Sequence, residues 1–178
     1  MKPLYAILGI IISLTTLNGC MGFSDRKAAE QGNAGAQYSL ALMYKKGKGV
    51  VQDDKEAFKW FRKSAEQGNG EAQFLLGRMY VKGEGVVQDD KEAVKWYRKA
   101  AEQGHANAQN NLGVMYATGE GVVQDYVMAH KYFNIAASSG VKSAHKNRDI
   151  VTKLMTVSQI EKAQNLASEW MKTHAENQ

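Results

Sequence analysis

Residues 65–105 read AEQGNGEAQFLLGRMYVKGEGVVQDDKEAVKWYRKAAEQGH, and the stretch closes on the AEQG with which it opens. The same four residues stand at 29–32, so AEQG recurs with a period of 36. Within that period the register returns Leu40, Leu76 and Leu112; Met43, Met79 and Met115; Tyr44, Tyr80 and Tyr116; and Ala57, Ala93 and Ala129. The connecting loops return too, as GKGVVQD from Gly47 and as GEGVVQD from Gly83 and Gly119. A fixed period between about 20 and 50 residues marks a solenoid of stacked supersecondary units.

Each unit holds two amphipathic helical patterns. In the second repeat the first pattern runs Ala72, Leu75, Leu76, Met79, Tyr80 and the second runs Ala93, Trp96, Tyr97, Ala100, Ala101, each at the spacing of one helical face. The lone proline, Pro3, lies outside the repeats, so nothing interrupts these helices. Asp53 with Glu56, and Asp89 with Glu92, predict a capping box at the start of the second helix. In the third repeat Met128 replaces the glutamate, and that helix is expected to start less firmly. Gly68 and Gly104 are placed to end the second helix in a left-handed conformation. The Gly-x-Gly pairs do not read as phosphate loops, because they follow a helix, lack a third glycine and occur once per repeat.

The repeat decays after Gly140: Arg148 takes the place of Leu40, Leu76 and Leu112, and no Gly-x-Gly loop follows. Thr156 and Gln159 then form a capping-box pattern ahead of Ile160, Ala163, Leu166, Ala167 and Trp170, the face of a terminal helix that covers the last core layer. The expected fold is all-α, an α-solenoid of three full helix-turn-helix repeats at 29–64, 65–100 and 101–136, with a degenerate repeat and capping helix over 137–178.

The chain of 178 residues is 44% hydrophobic and 23% charged, a balance that folds rather than stays disordered. Its N-terminus differs in kind. Lys2 precedes an apolar stretch from Leu4 to Leu17, too short to span a bilayer and suited to the core of a signal peptide. The following Leu17-Asn18-Gly19-Cys20 resembles the bacterial lipobox, and that resemblance implies a signal over residues 1–19, cleavage before Cys20 and lipidation of its thiol. Residues 20–28 are then a short linker. Met21, where inner-membrane lipoproteins of this kind often carry aspartate, points to the outer membrane; a soluble secreted or periplasmic protein is the alternative. Cys20 is the only cysteine, which excludes an internal disulfide framework.

The repeat motifs A-x-x-x-L-G-x-M-Y (Ala72, Leu76, Gly77, Met79, Tyr80), G-x-G-V-x-Q-D (Gly83, Gly85, Val86, Gln88, Asp89) and A-x-K-W-Y-x-K-A-A (Ala93, Lys95, Trp96, Tyr97, Lys99, Ala100, Ala101) resemble the SEL-one-like repeat family, a tetratricopeptide-like group. The likeness covers residue 29 to about residue 172. It implies a right-handed superhelix whose first helices line a concave groove used for protein contacts in envelope or signalling assemblies. Carried over by register, the groove positions are Tyr38, Leu42, Lys45 and Lys46, then Phe74, Arg78 and Lys82, then Asn107, Asn110 and Val114. These vary between repeats where the core does not, and Tyr38, Leu42 and Phe74 stand out as apolar side chains expected to be exposed on that face.

Other constellations carry less. Lys55, Lys59, Arg62 and Lys63, repeated as Lys91, Lys95, Arg98 and Lys99, form a basic stripe that suits a membrane or cell-wall scaffold, but Glu56, Glu66, Glu92 and Glu102 balance it. No aromatic side chain is interleaved there for nucleic acid. Trp60, Trp96 and Tyr132 share a register position and read as core, while His105, His130, His145 and His174 lack ligand spacing and read as surface. No nucleophile stands at a recognisable spacing from a base, so no catalytic residue, metal site or cofactor is expected. Cysteine-rich members of the family act weakly on β-lactams, but they carry a cysteine pair in each repeat and this chain has none. The expectation is a non-enzymatic adaptor of the cell envelope with a protein or peptide partner and no nucleic acid or small-molecule substrate.

Overall fold

The computed structural model describes residues 26–176. The expected signal peptide and Cys20 lie outside that range. The described residues form α1 (26–30), α2 (Ala34–Lys46), α3 (Asp54–Glu66), α4 (Gly70–Lys82), α5 (Asp90–Glu102), α6 (Ala106–Thr118), α7 (Tyr126–Ser138), α8 (Lys142–Thr152) and α9 (Val157–Ala175), with no strand among them. The three repeats are the pairs α2–α3, α4–α5 and α6–α7, as the periodicity predicts. The chain divides after Asn69 into two compact units.

In the first unit α2 buries Leu40 and Ala41, and α3 buries Ala57, Phe61 and Ala65. The two helices are tied by Ser64 Oγ donating to the Ala34 carbonyl at 2.7 Å and by Gln67 Nε2 donating to Gln37 Oε1 at 2.7 Å. Gln37 Nε2 in turn donates to the Ala29 carbonyl at 3.1 Å, so α1 is held to the pair.

The second unit packs α4–α5, α6–α7, α8 and α9 around Val94, Tyr97, Leu112, Tyr116, Phe133, Ile135, Val151 and Ala167. Burying an aliphatic side chain of this size stabilises the fold by about 1.5–3 kcal/mol. Three glycines of this unit allow close approaches, the first being Gly77, where a Cβ would stand 2.7 Å from the Tyr97 ring. A Cβ on Gly113 would stand 2.7 Å from the Phe133 ring, so only glycine lets α6 and α7 meet. Gly121, at φ 69°, brings its loop against the start of α5, where a Cβ would lie 2.2 Å from the Asp90 carbonyl oxygen. The loop thereby joins one repeat to the one before it.

The helix starts differ from the capping boxes predicted. Asp53 and Asp125 each accept from two first-turn amides, and Asp89 accepts from the Glu92 amide at 3.0 Å. The return half of the box is absent in all three repeats. The Asp53, Asp89 and Asp125 amides donate instead to the carbonyls of Tyr44, Tyr80 and Tyr116, and Glu56 and Glu92 pair with Lys59 and Lys95. Met128 therefore removes no capping hydrogen bond from the third repeat, although α7 lacks the first-turn acidic residues of α3 and α5. At α9 the box is complete: the Gln159 amide donates to Thr156 Oγ1, and the Thr156 amide donates to Gln159 Oε1.

One histidine overturns the surface reading. His130 is only 2% exposed, and burial, with the Arg148 charge second, lowers its pKa below the ordinary 6.5. Trp96 and Tyr132 are core residues as expected, whereas Trp60, expected in the core with them, is half-buried. The repeat does decay at Arg148, which is half-buried and donates to Asn134 Oδ1 at 3.3 Å where a leucine stands in the full repeats. α9 then closes the unit by burying Ala163 and Ala167, with Trp170 packed on the same core.

Candidate interaction face

In the first unit Tyr38, Leu42 and Lys45 are half-buried and Lys46 is exposed. Tyr38 leans against Phe61 with ring centroids 5.9 Å apart, so part of its area is spent on the helix pair. Lys45 Nζ lies 3.0 Å from Asp54 Oδ1, which directs its charge to the first turn of α3. Favouring Tyr38, Leu42 and Phe74 as exposed apolar groups thus needs adjustment: all three are half-buried.

In the second unit Phe74 stacks on His105 at 4.4 Å and tilts against Tyr97 at 6.0 Å, with the Arg78 guanidinium 5.8 Å from its ring. His105 Nε2 also lies 3.2 Å from Glu71 Oε1, and its Nδ1 accepts from the Ala108 amide as the N-cap of α6. This links α4 to α6. Asn107 is exposed, Val114 half-buried, and Asn110 Oδ1 accepts from Asn147 Nδ2 at 3.2 Å, which links α6 to α8. Lys82 lies 3.6 Å from Glu84. Phe74, Arg78, Asn107, Asn110 and Val114 therefore share one surface, to which α8 adds residues absent from the expected set. Ile150 falls 36 residues after Val114 and is 51% exposed, and Leu154 follows at 57%. The register alone held that signal, but the loss of the core leucine at 148 ended the count one helix early.

Three of the eight cations of the outer basic stripe are paired with carboxylates: Lys59 Nζ lies 2.6 Å from Glu56, Arg62 Nε lies 2.8 Å from Glu66, and Lys95 pairs with Glu92. Arg98 donates to the Tyr116 hydroxyl at 3.0 Å, while Lys63 and Lys99 lie over the Trp60 and Trp96 rings at 4.2 and 4.4 Å. Among the described residues no group of three or more His, Cys, Asp or Glu side chains could hold a metal ion, and no helix is long and apolar enough to cross a membrane.

The Sel1 repeat family matches over residues 34–69, 70–105 and 106–141. Each matched segment begins at or beside the first residue of α2, α4 or α6, five residues after the AEQG-based boundary. A Sel1 repeat protein from Oxalobacter formigenes is 38% identical, with a TM-score of 0.67 over 71% of this chain and 96% of that one. A protective antigen of uropathogenic Escherichia coli with an SLR fold is 34% identical, TM-score 0.65, over 83% of this chain but 40% of its own. The cysteine-rich protein B of Helicobacter pylori is 25% identical, TM-score 0.55, over 69% of this chain and 88% of that one. An exopolysaccharide production negative regulator of Rhizobium leguminosarum bv. viciae is 59% identical across 34 residues, 13% of its length. Sel1 repeats generally serve as protein-interaction scaffolds rather than enzymes. With three consecutive repeats matched and the helix pairs in the same places, the chain belongs to the Sel1 repeat family.

Proposed function

We propose that this protein is a non-enzymatic interaction module of the bacterial cell envelope, held at a membrane by a lipid on Cys20 and facing the periplasm. It binds a protein or peptide on the surface presented by the first helix of each repeat. The supporting observation is a contrast within one register. Leu40, Leu76 and Leu112 do not change, whereas Tyr38, Phe74 and Asn110, and likewise Leu42, Arg78 and Val114, change at every repeat. Packing fixes the first set, whereas the second set is half-buried and changes its chemistry from repeat to repeat, as a surface matched to a partner would.

The test is affinity capture from envelope extracts of the host, with the wild type beside a Tyr38→Ala/Leu42→Ala/Phe74→Ala variant shown by circular dichroism to remain helical. A protein held by the wild type and lost by the variant supports the reading. Equal capture by both moves the contact elsewhere on the molecule. For the anchor, Cys20→Ser should shift the protein from the membrane fraction to the soluble fraction, and an unchanged distribution removes the lipid from the proposal.

A further inference from the structure

We infer that the face formed by α4, α6 and α8 takes a segment of another protein that carries carboxylates beside aliphatic side chains; this rests on the interaction-module reading and names the chemistry of its partner. The face is continuous through the Phe74–His105 stack and the Asn147–Asn110 hydrogen bond. Its charges are in positive surplus. Arg78, Lys82, Lys146 and Lys153 stand on it or at its end, and of these only Lys82 has a carboxylate, Glu84, within salt-bridge distance among the described residues. Of the carboxylates nearby, Asp149 is paired with Arg148 at 3.2 Å, while Glu71, 61% exposed and 3.2 Å from His105 Nε2, keeps its negative charge at the edge of the face. Arg78, Lys146 and Lys153 are thus uncompensated cations around an apolar strip of Val114, Ile150 and Leu154, of which the last two are more than half exposed. A surplus of positive charge selects an acidic partner, and the strip gives aliphatic groups a place to leave water. Asn107 is exposed on α6, and an amide that both donates and accepts suits a peptide backbone. A basic aliphatic segment would meet like charge, and an acidic segment without aliphatic groups would leave Ile150 and Leu154 in water.

The test is fluorescence anisotropy with the purified full chain and three short labelled peptides: glutamate alternating with leucine, glutamate with serine, and lysine with leucine. The expected order is strongest binding to the first, weakening with salt, about tenfold weaker binding to the second, and none to the third. Lys146→Glu/Lys153→Glu and Ile150→Ser should each weaken the glutamate–leucine peptide by about tenfold, the scale of two surface charge contacts or one aliphatic contact. Lys172→Glu, on the exposed side of α9, should change it by less than about twofold. Equal binding of the three peptides, an equal loss with Lys172→Glu, or no effect of Ile150→Ser would overturn the inference. If the glutamate–leucine peptide fails while capture of a host protein still depends on Tyr38, Leu42 and Phe74, the acidic-partner assignment falls and the interaction module stands.

Discussion

His130 occupies the position that Val94 holds one repeat earlier, and it is equally sealed from water. Its pKa is lowered mainly by burial, so the fold holds it neutral while the unfolded chain binds a proton more readily. Stability is therefore fully present above the unfolded value near pH 6.5 and is lost as pH falls from there through the lower folded value. His130→Val should flatten the fall in urea midpoint between about pH 6.5 and 5, the range in which an unperturbed imidazole charges. An unchanged slope would place the acid sensitivity in other groups. A second residue-scale defect lies at Gln109, whose Oε1 is buried without a partner. In the preceding repeats Gln67 and Gln103 donate to Gln37 and Gln73 at 2.7 Å, but the third repeat has Ser139, which donates to its own helix at the Ile135 carbonyl. Ser139→Gln restores the donor and should stabilise the protein by about 1 kcal/mol in chemical unfolding; a loss of stability would show that the longer side chain does not reach.

At the scale of the element, the six repeat helices α2 to α7 are all 13 residues long, and their boundaries follow from local chemistry. Aspartate caps α3, α5 and α7, and a glycine at positive φ follows each of the six. Because the glutamate at the third helical position takes no part in the cap, Asp125→Ala should destabilise by about 1 kcal/mol, the same as Asp89→Ala. Faster amide exchange in the first turns of α5 and α7 would report both losses. A smaller loss at Asp125 would revive the capping-box reading, in which α7 is the weaker helix. The box was legible as a spacing, yet its return half depends on a free backbone amide. That amide is taken by the tyrosine carbonyl of the previous helix, a contact between elements that no local pattern contains.

For the whole molecule, the period of 36 carried the all-α repeat architecture, because a helix pair of this size buries its apolar face only against a like neighbour. The core positions, the helix pairs and the glycine turns were legible for that reason: each repeats, and repetition averages out chance. The interaction face was legible only as a set of register positions. Which of them are spent on packing, as Tyr38 on Phe61 and Phe74 on His105, was not. The place of Ile150 was carried by the register, 36 residues after Val114, but its exposure, and that of Leu154 just past α8, was not. By itself the sequence determined what is local or periodic: the helices, their caps and the buried leucines. Only the tertiary structure decided the burial of His130, the orphaned oxygen of Gln109 and the surplus of cations beside an exposed aliphatic strip, because each depends on residues that stand far apart in the chain and meet only when the helices pack.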